Sequence, residues 1–152
     1  EYKLTPASKM VGLDGQKMSK SYNNTIALRE DPKEVEKKIR TMPTDPARIR
    51  RNDPGNPNNC PVWQLHQVYS MEKTQKWAKE GCTQAGIGCV ECKQPIIESV
   101  LKELKPIQER AKDYIESPDL VKSVVAEGCE KARKLARDTM RDVREVMGID
   151  LS

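Results

Sequence analysis

The sequence predicts a mainly α protein, a helical bundle, and three observations carry that reading. Apolar residues recur at helical spacing over residues 94–117 (Ile97, Val100, Leu101, Leu104, Ile107, Ala111, Tyr114, Ile115). They recur again over residues 119–147 (Val121, Val124, Val125, Ala132, Leu135, Ala136, Met140, Val143, Val146). Pro32, Pro61 and Pro118 each stand where a helix would open, the one position at which a missing backbone N–H costs nothing. The 152 residues are 36% hydrophobic with no Phe and one His, enough for a real core that has to be aliphatic.

Taken in order, residues 1–10 hold Tyr2, Leu4 and Pro6 and are expected to be extended, running into a short strand at residues 9–13. Residues 12–24, GLDGQKMSKSYNN, make little sense as packing. Lys17 and Lys20 stand among Met18, Ser19 and Ser21, just after the turn-forming pair Asp14 and Gly15, so both ammonium groups can swing toward one polyanion. Such a loop suits the charge that develops on a leaving pyrophosphate, where stabilisation has to be strongest in the transition state. The plainer alternative is a solvated basic loop. A helix is expected next, with Asp31 as N-cap, Pro32 in the first turn, and Val35 and Ile39 on one buried face up to Thr41.

Between Lys33 and Arg51 there are seven Lys or Arg and three Asp or Glu, with Arg48, Arg50 and Arg51 crowded at the end. A solvated charged surface and an RNA-phosphate contact both fit that excess. Residues 52–59, NDPGNPNN, read as a loop, and a domain boundary is plausible there. A helix then runs from Pro61 to Ser70, lining up Val62, Leu65, Val68 and Tyr69. His66 reads there as a hydrogen-bonded structural residue rather than a ligand, since nothing near it offers a metal partner at helical spacing.

Cys60, Cys82, Cys89 and Cys92 fall within 33 residues and end in a CxxC, while Cys129 stands apart on an apolar stripe and reads as core. Gly81, Gly86 and Gly88 lie among them, as in backbone folded tightly around a centre. The ligands would come from the loop before one helix and the loop joining the next two. Three readings compete: unligated thiols, structural zinc and a four-iron cluster. Lys93, directly after the last cysteine, is a candidate phosphate contact. Pro106 is expected to kink or break the first long helix, and the two long stripes to pack antiparallel. Gly148 supplies the final stop.

Three segments also carry a resemblance. KMSKS, Lys17 to Ser21, is similar to the second signature motif of class I aminoacyl-tRNA synthetases, and its flanks GLDGQ and YNNTIAL resemble those of the bacterial tryptophanyl members. CPVWQLHQVYS, PIQERAKDY and EKARKLARDTMRDVREVMG look like that family's helical domain. The resemblance implies that residues 1–28 end a class I nucleotide-binding α/β domain and that residues 29–152 form the anticodon-binding domain. It further implies catalytic roles for Lys17 and Lys20 on the β and γ phosphates of ATP with Mg, and Met10 and Met18 near the base. Ser19 and Ser21 would shape the loop. It tips the metal reading toward a [4Fe-4S] cluster on Cys60, Cys82, Cys89 and Cys92, with zinc as the alternative.

The partners implied are tRNA(Trp), ATP and tryptophan, and the full-length enzyme is expected to be a homodimer. A tyrosyl-type synthetase and a stand-alone metal-bearing helical RNA-binding module remain the other readings. The chain starts at Glu1, and its one histidine lies in QLHQV rather than in an HIGH-type motif, so it reads as an excised piece that should not activate an amino acid alone. No apolar run approaches the ~20 residues of a membrane span, and there is no secretory leader, which gives an expectation of a cytoplasmic protein.

Overall fold

The computed structural model describes residues 9–149; the expected extended segment over residues 1–8 lies outside them. Five helices carry the chain: α1 (Pro32–Thr41), α2 (Pro61–Tyr69), α3 (Glu72–Thr83), α4 (Cys89–Glu116) and α5 (Pro118–Met147). Among the described residues there is no strand. The expected strand at residues 9–13 is reduced to a single antiparallel bridge between Val11 and Lys17, because the chain turns back on itself at once and offers no further partner edge. The chain divides into two compact units, Glu1–Gln108 and Glu109–Ser152.

Helix α1 starts as the sequence suggests. The Asp31 carboxylate accepts from the Lys33 amide at 2.9 Å, Pro32 opens the first turn, and Val35 and Ile39 are fully buried. Helix α2 contributes Val62 and Leu65, and α4 contributes Ile96, Ile97, Val100 and Leu104. With Val11 and Met42 these residues form one aliphatic cluster, the core of the first unit. Helix α3 has no counterpart in the sequence reading. Its polar run EKTQKWAKEG buries only Ala78, too little apolar surface to mark it by periodicity.

Helix α4 departs from expectation at its start. It begins at Cys89 rather than near Gln94, so the CxxC lies on its first turn instead of in a loop. It also continues through Pro106 without a break. That proline is exposed, where the carbonyl freed one turn earlier can be solvated, so the lost hydrogen bond does not end the helix.

Helix α5 ends at Gly148, which adopts the left-handed φ of 66° that a helix stop favours. Its apolar stripe is not core. No residue of α5 is buried: Leu135 is 71% exposed, and Val124, Val125, Met140, Val143 and Val146 are exposed as well. The expected burial of that stripe against its neighbour, and of Cys129 within it, is therefore corrected, since Cys129 is exposed too. Helical periodicity specifies an apolar face but not what covers it. Truncating Ile39→Ala in this chain should lower unfolding free energy by about 2–5 kcal/mol. Leu135→Ala should change it by no more than about 0.5 kcal/mol, both read from urea midpoints by circular dichroism.

Candidate functional site

The lysine loop is built around a residue to which the sequence reading gave no role. Asn24, 2% exposed, accepts from the Ser19 amide at 2.7 Å through its side-chain oxygen. Its amide nitrogen donates to Asp14 Oδ1 at 2.7 Å and to the Lys17 carbonyl at 3.1 Å, and its own carbonyl accepts from the Leu13 amide at 2.9 Å. One buried side chain thus ties both limbs of the loop together. Gly12 leaves the room for it, because a Cβ there would lie 2.3 Å from the Asn24 amide nitrogen. Asp14 is held below its ordinary carboxylate value chiefly by the Asn24 side chain, with the Gln16 amide adding to the effect.

On this braced frame the Ser19 hydroxyl accepts from the Ser21 amide at 3.3 Å and caps a short 3-10 turn, Lys20–Tyr22. Lys17 and Lys20 are exposed, and among the described residues neither ammonium group is in an ion pair with a carboxylate. Two exposed cations on a fixed backbone suit a polyanion better than a floppy pair would, since little order has to be imposed on binding. Met10 and Met18 line one apolar cavity of about 180 Å³ together with Ile26, Leu65, Tyr69 and Leu104. The expected site residues of the loop are thus brought together, cations outward and methionines inward.

Of the candidate cysteines, Cys60 stands just before a helix as expected, whereas Cys82, Cys89 and Cys92 lie on helices rather than in the loop between them. Cys60 is the N-cap of α2, Cys82 lies in the last turn of α3, Cys89 opens α4, and Cys92 follows one turn later. Gly55 permits the approach of the preceding loop, because a Cβ there would lie 2.6 Å from Cys82 Sγ, and its amide donates to the Cys82 carbonyl at 2.9 Å. The thiols lie within one another's field. Burial chiefly, with Cys60, Cys82 and Cys89 adding to it and the Arg48 guanidinium opposing, pushes the Cys92 thiol up to about 12. Burial likewise raises Cys82, with the Arg48 guanidinium opposing. No group of three or more His, Cys, Asp or Glu side chains among the described residues is drawn together as a metal site.

Three basic residues around the thiols behave unlike their sequence reading or confirm it only in part. Lys93 is no surface phosphate contact: it is 3% exposed, and its ammonium group donates to the carbonyls of Arg40 at 2.7 Å and Met42 at 2.6 Å, capping the end of α1. Its position at the inner edge of an otherwise polar turn gave no periodic signal. Arg48 also turns inward, at 9% exposure, leaving Arg50 and Arg51 outside. His66 is fully buried, with Nδ1 2.8 Å from Ser70 Oγ and Nε2 3.1 Å from the Cys92 carbonyl, the structural role expected of it. Burial holds it below its ordinary value, against the pull of that carbonyl. Beside the thiols an open pocket of about 660 Å³ is lined by Arg40, Arg48, Arg50, Arg51 and Gln94.

The helical unit and the capped lysine loop beside it have counterparts in a known family. Residues 2–105 match the family described as tRNA synthetases class I (W and Y), and the chain belongs to that family. It is 60% identical to the tryptophan–tRNA ligase of Ralstonia nicotianae over 149 residues, which is 98% of this chain and 37% of that protein. It is 48% identical to the corresponding ligase of Thermotoga maritima over 147 residues, 96% of this chain and 45% of that one. The crystal structure of tryptophanyl-tRNA synthetase from Campylobacter jejuni complexed with ADP and tryptophan superimposes with a TM-score of 0.79 at 31% identity, covering 92% of this chain and 43% of that one. The chain therefore spans well under half the length of the relatives it matches.

Replacing Asn24→Ala removes three side-chain hydrogen bonds at once and leaves the Ser19 amide without its acceptor. Hydrogen exchange at Ser19 should accelerate at least tenfold while the α4 core amides keep their protection.

Proposed function

We propose that this chain is the carboxyl-terminal part of a tryptophan–tRNA ligase, which activates tryptophan with ATP and Mg and transfers it to tRNA(Trp). Residues 1–28 would close the nucleotide-binding half and residues 29–152 would serve as the anticodon-binding part. The observation that carries the reading is the lysine loop, two exposed ammonium groups on a backbone braced by Asn24. In the first half-reaction the tryptophan carboxylate attacks the α-phosphorus of ATP and expels pyrophosphate. Lys17 and Lys20 stabilise the negative charge that grows on that leaving group, while Ser19 and Ser21 hold the turn that aims them. Met10 and Met18, which share one apolar cavity, flank the base. Tryptophan rather than tyrosine is favoured by the identity of 60% to one tryptophan enzyme and 48% to another.

In the same reading Cys60, Cys82, Cys89 and Cys92 hold a [4Fe-4S] cluster, with zinc the other occupant for that donor set. The support is chemical: four thiols come from three helical elements, burial and the neighbouring thiols raise Cys92 and Cys82, and a buried guanidinium faces Cys82 and Cys89. A centre there would staple the chain before α2 to the end of α3 and the start of α4. Arg40, Arg50 and Arg51, on the open basic pocket beside it, would meet anticodon phosphates. The full-length protein would act as a homodimer in the cytoplasm.

In the full-length protein, Lys17→Ala and Lys20→Ala should each slow tryptophan-dependent pyrophosphate–ATP exchange by about 100- to 1,000-fold, the loss typical of one donor to a developing anion. Exchange as fast as wild type in the double variant, or exchange supported by tyrosine in place of tryptophan, would overturn the assignment.

A further inference from the structure

We propose that Asn24, oriented by Asp14, is a positioning residue: it fixes where Lys20 stands relative to Lys17, so that the two ammonium groups meet a leaving pyrophosphate as a pair. The inference rests on the reading of the lysine loop given above. Three observations lead to it.

One limb of the loop is anchored in the helical unit and the other is not. Val11, 5% exposed within the aliphatic core, bridges to Lys17, and the Met18 amide donates to the Met10 carbonyl at 2.9 Å. Between them Gly15, at a left-handed φ of 84°, lies against Pro61 at the start of α2, where a Cβ would come within 2.7 Å of the proline ring. The backbone of Lys17 is thus tied down. The turn that carries Lys20 closes on itself, the Tyr22 amide donating to the Ser19 carbonyl and the Asn23 amide to the Lys20 carbonyl, both at 3.2 Å. Among the described residues, the hydrogen bonds that join this turn to the first limb run through Asn24.

The orientation of the Asn24 amide is set by its partners. The Ser19 amide can only donate, so it meets Oδ1; the Asp14 carboxylate and the Lys17 carbonyl accept, so they meet Nδ2. Asp14 is itself held, since the same oxygen accepts from the Gln16 amide at 3.0 Å. An aspartate at position 24 would have no proton for either acceptor and would set a second carboxylate beside Asp14.

The side chain also serves this segment alone. Asn24 is buried, yet each of its side-chain hydrogen bonds goes to residue 14, 17 or 19, on either side of the lysines rather than to the helices. Gly12 leaves no Cβ where the amide sits. A buried amide whose two N–H groups are both spent within one loop holds the shape of that loop.

The test is tryptophan-dependent pyrophosphate–ATP exchange by the full-length protein, with kcat and the KM for tryptophan read separately. Asn24→Ala should lower kcat by about 10- to 100-fold, the loss that a misplacement of about 1 Å brings, and leave that KM within about twofold. Gly12→Ala, which displaces the amide without altering it, should lose kcat likewise, and it carries the test where Asn24→Ala fails to fold. In a Lys20→Ala background, Asn24→Ala should cost no more than about threefold, because no pair is left to place. Adding Asp14→Asn to Asn24→Asp should raise kcat at least about fivefold over Asn24→Asp alone, since one amide again faces one carboxylate. Wild-type kcat in both Asn24→Ala and Gly12→Ala, or the full loss repeated in the Lys20→Ala background, would overturn the positioning role and leave the lysines standing. A raised KM for tryptophan at unchanged kcat would overturn it too. No gain from the exchanged pair would overturn the part given to Asp14. Lys20→Ala at the wild-type rate would overturn the reading of the loop, and this inference with it.

Discussion

Everything described in the first unit hangs on the inner face of α4. Ile96, Ile97, Val100 and Leu104 are buried in succession, and they are the surface against which Val35 and Ile39 of α1 and Val62 and Leu65 of α2 collect. Burying each such side chain contributes roughly 1.5–3 kcal/mol, so this seam outweighs any single polar contact in the unit. One turn upstream on the same helix, Lys93 reaches into the end of α1 and satisfies two carbonyls there. The thiols of Cys89 and Cys92 are carried on that turn, and the apolar cavity beside the lysine loop is lined by Val100 and Leu104 two and three turns later. A single helix thus contributes to both candidate sites.

The two sites use positive charge in opposite ways. Lys17 and Lys20 are held outward on exposed side chains, where hydration of the ammonium groups offsets their charge until a polyanion arrives. Arg48 and Lys93 are buried and spend their donors on main-chain carbonyls, Arg51 and Ile87 for Arg48, Arg40 and Met42 for Lys93, which offsets part of the cost of taking them out of water. The difference is one of location rather than residue type. It explains why the basic excess of residues 33–51 says little by itself: all three arginines border one open pocket, but Arg50 and Arg51 are exposed whereas Arg48 turns inward and faces the Cys82 and Cys89 sulfurs.

The second unit is held by different means. Along α5, Asp119 pairs with Lys122, Glu127 with Lys131 and Glu130 with Arg133, all three or four residues apart and all exposed. Such pairs contribute a few tenths of a kcal/mol each. They support a helix whose apolar stripe remains open, and they account for a long, regular element without a core of its own.

Local signals told most of the helices from the sequence alone: the Asp31–Pro32 start of α1, the Pro61 start of α2, the Pro118 start and Gly148 stop of α5, and the composition of the lysine loop. All of these are settled within a few residues by capping, by the fixed φ of proline or by the glycine that a left-handed turn prefers, so no distant contact is needed to read them. The tertiary structure alone decided the rest. It made Asn24 the brace of the loop, turned Lys93 and Arg48 inward, put the CxxC on a helix and left Cys129 in the open. Each of those outcomes depends on which residues distant in the chain come to lie alongside, and burial and hydrogen-bond partnership across such distances leave no trace in local spacing.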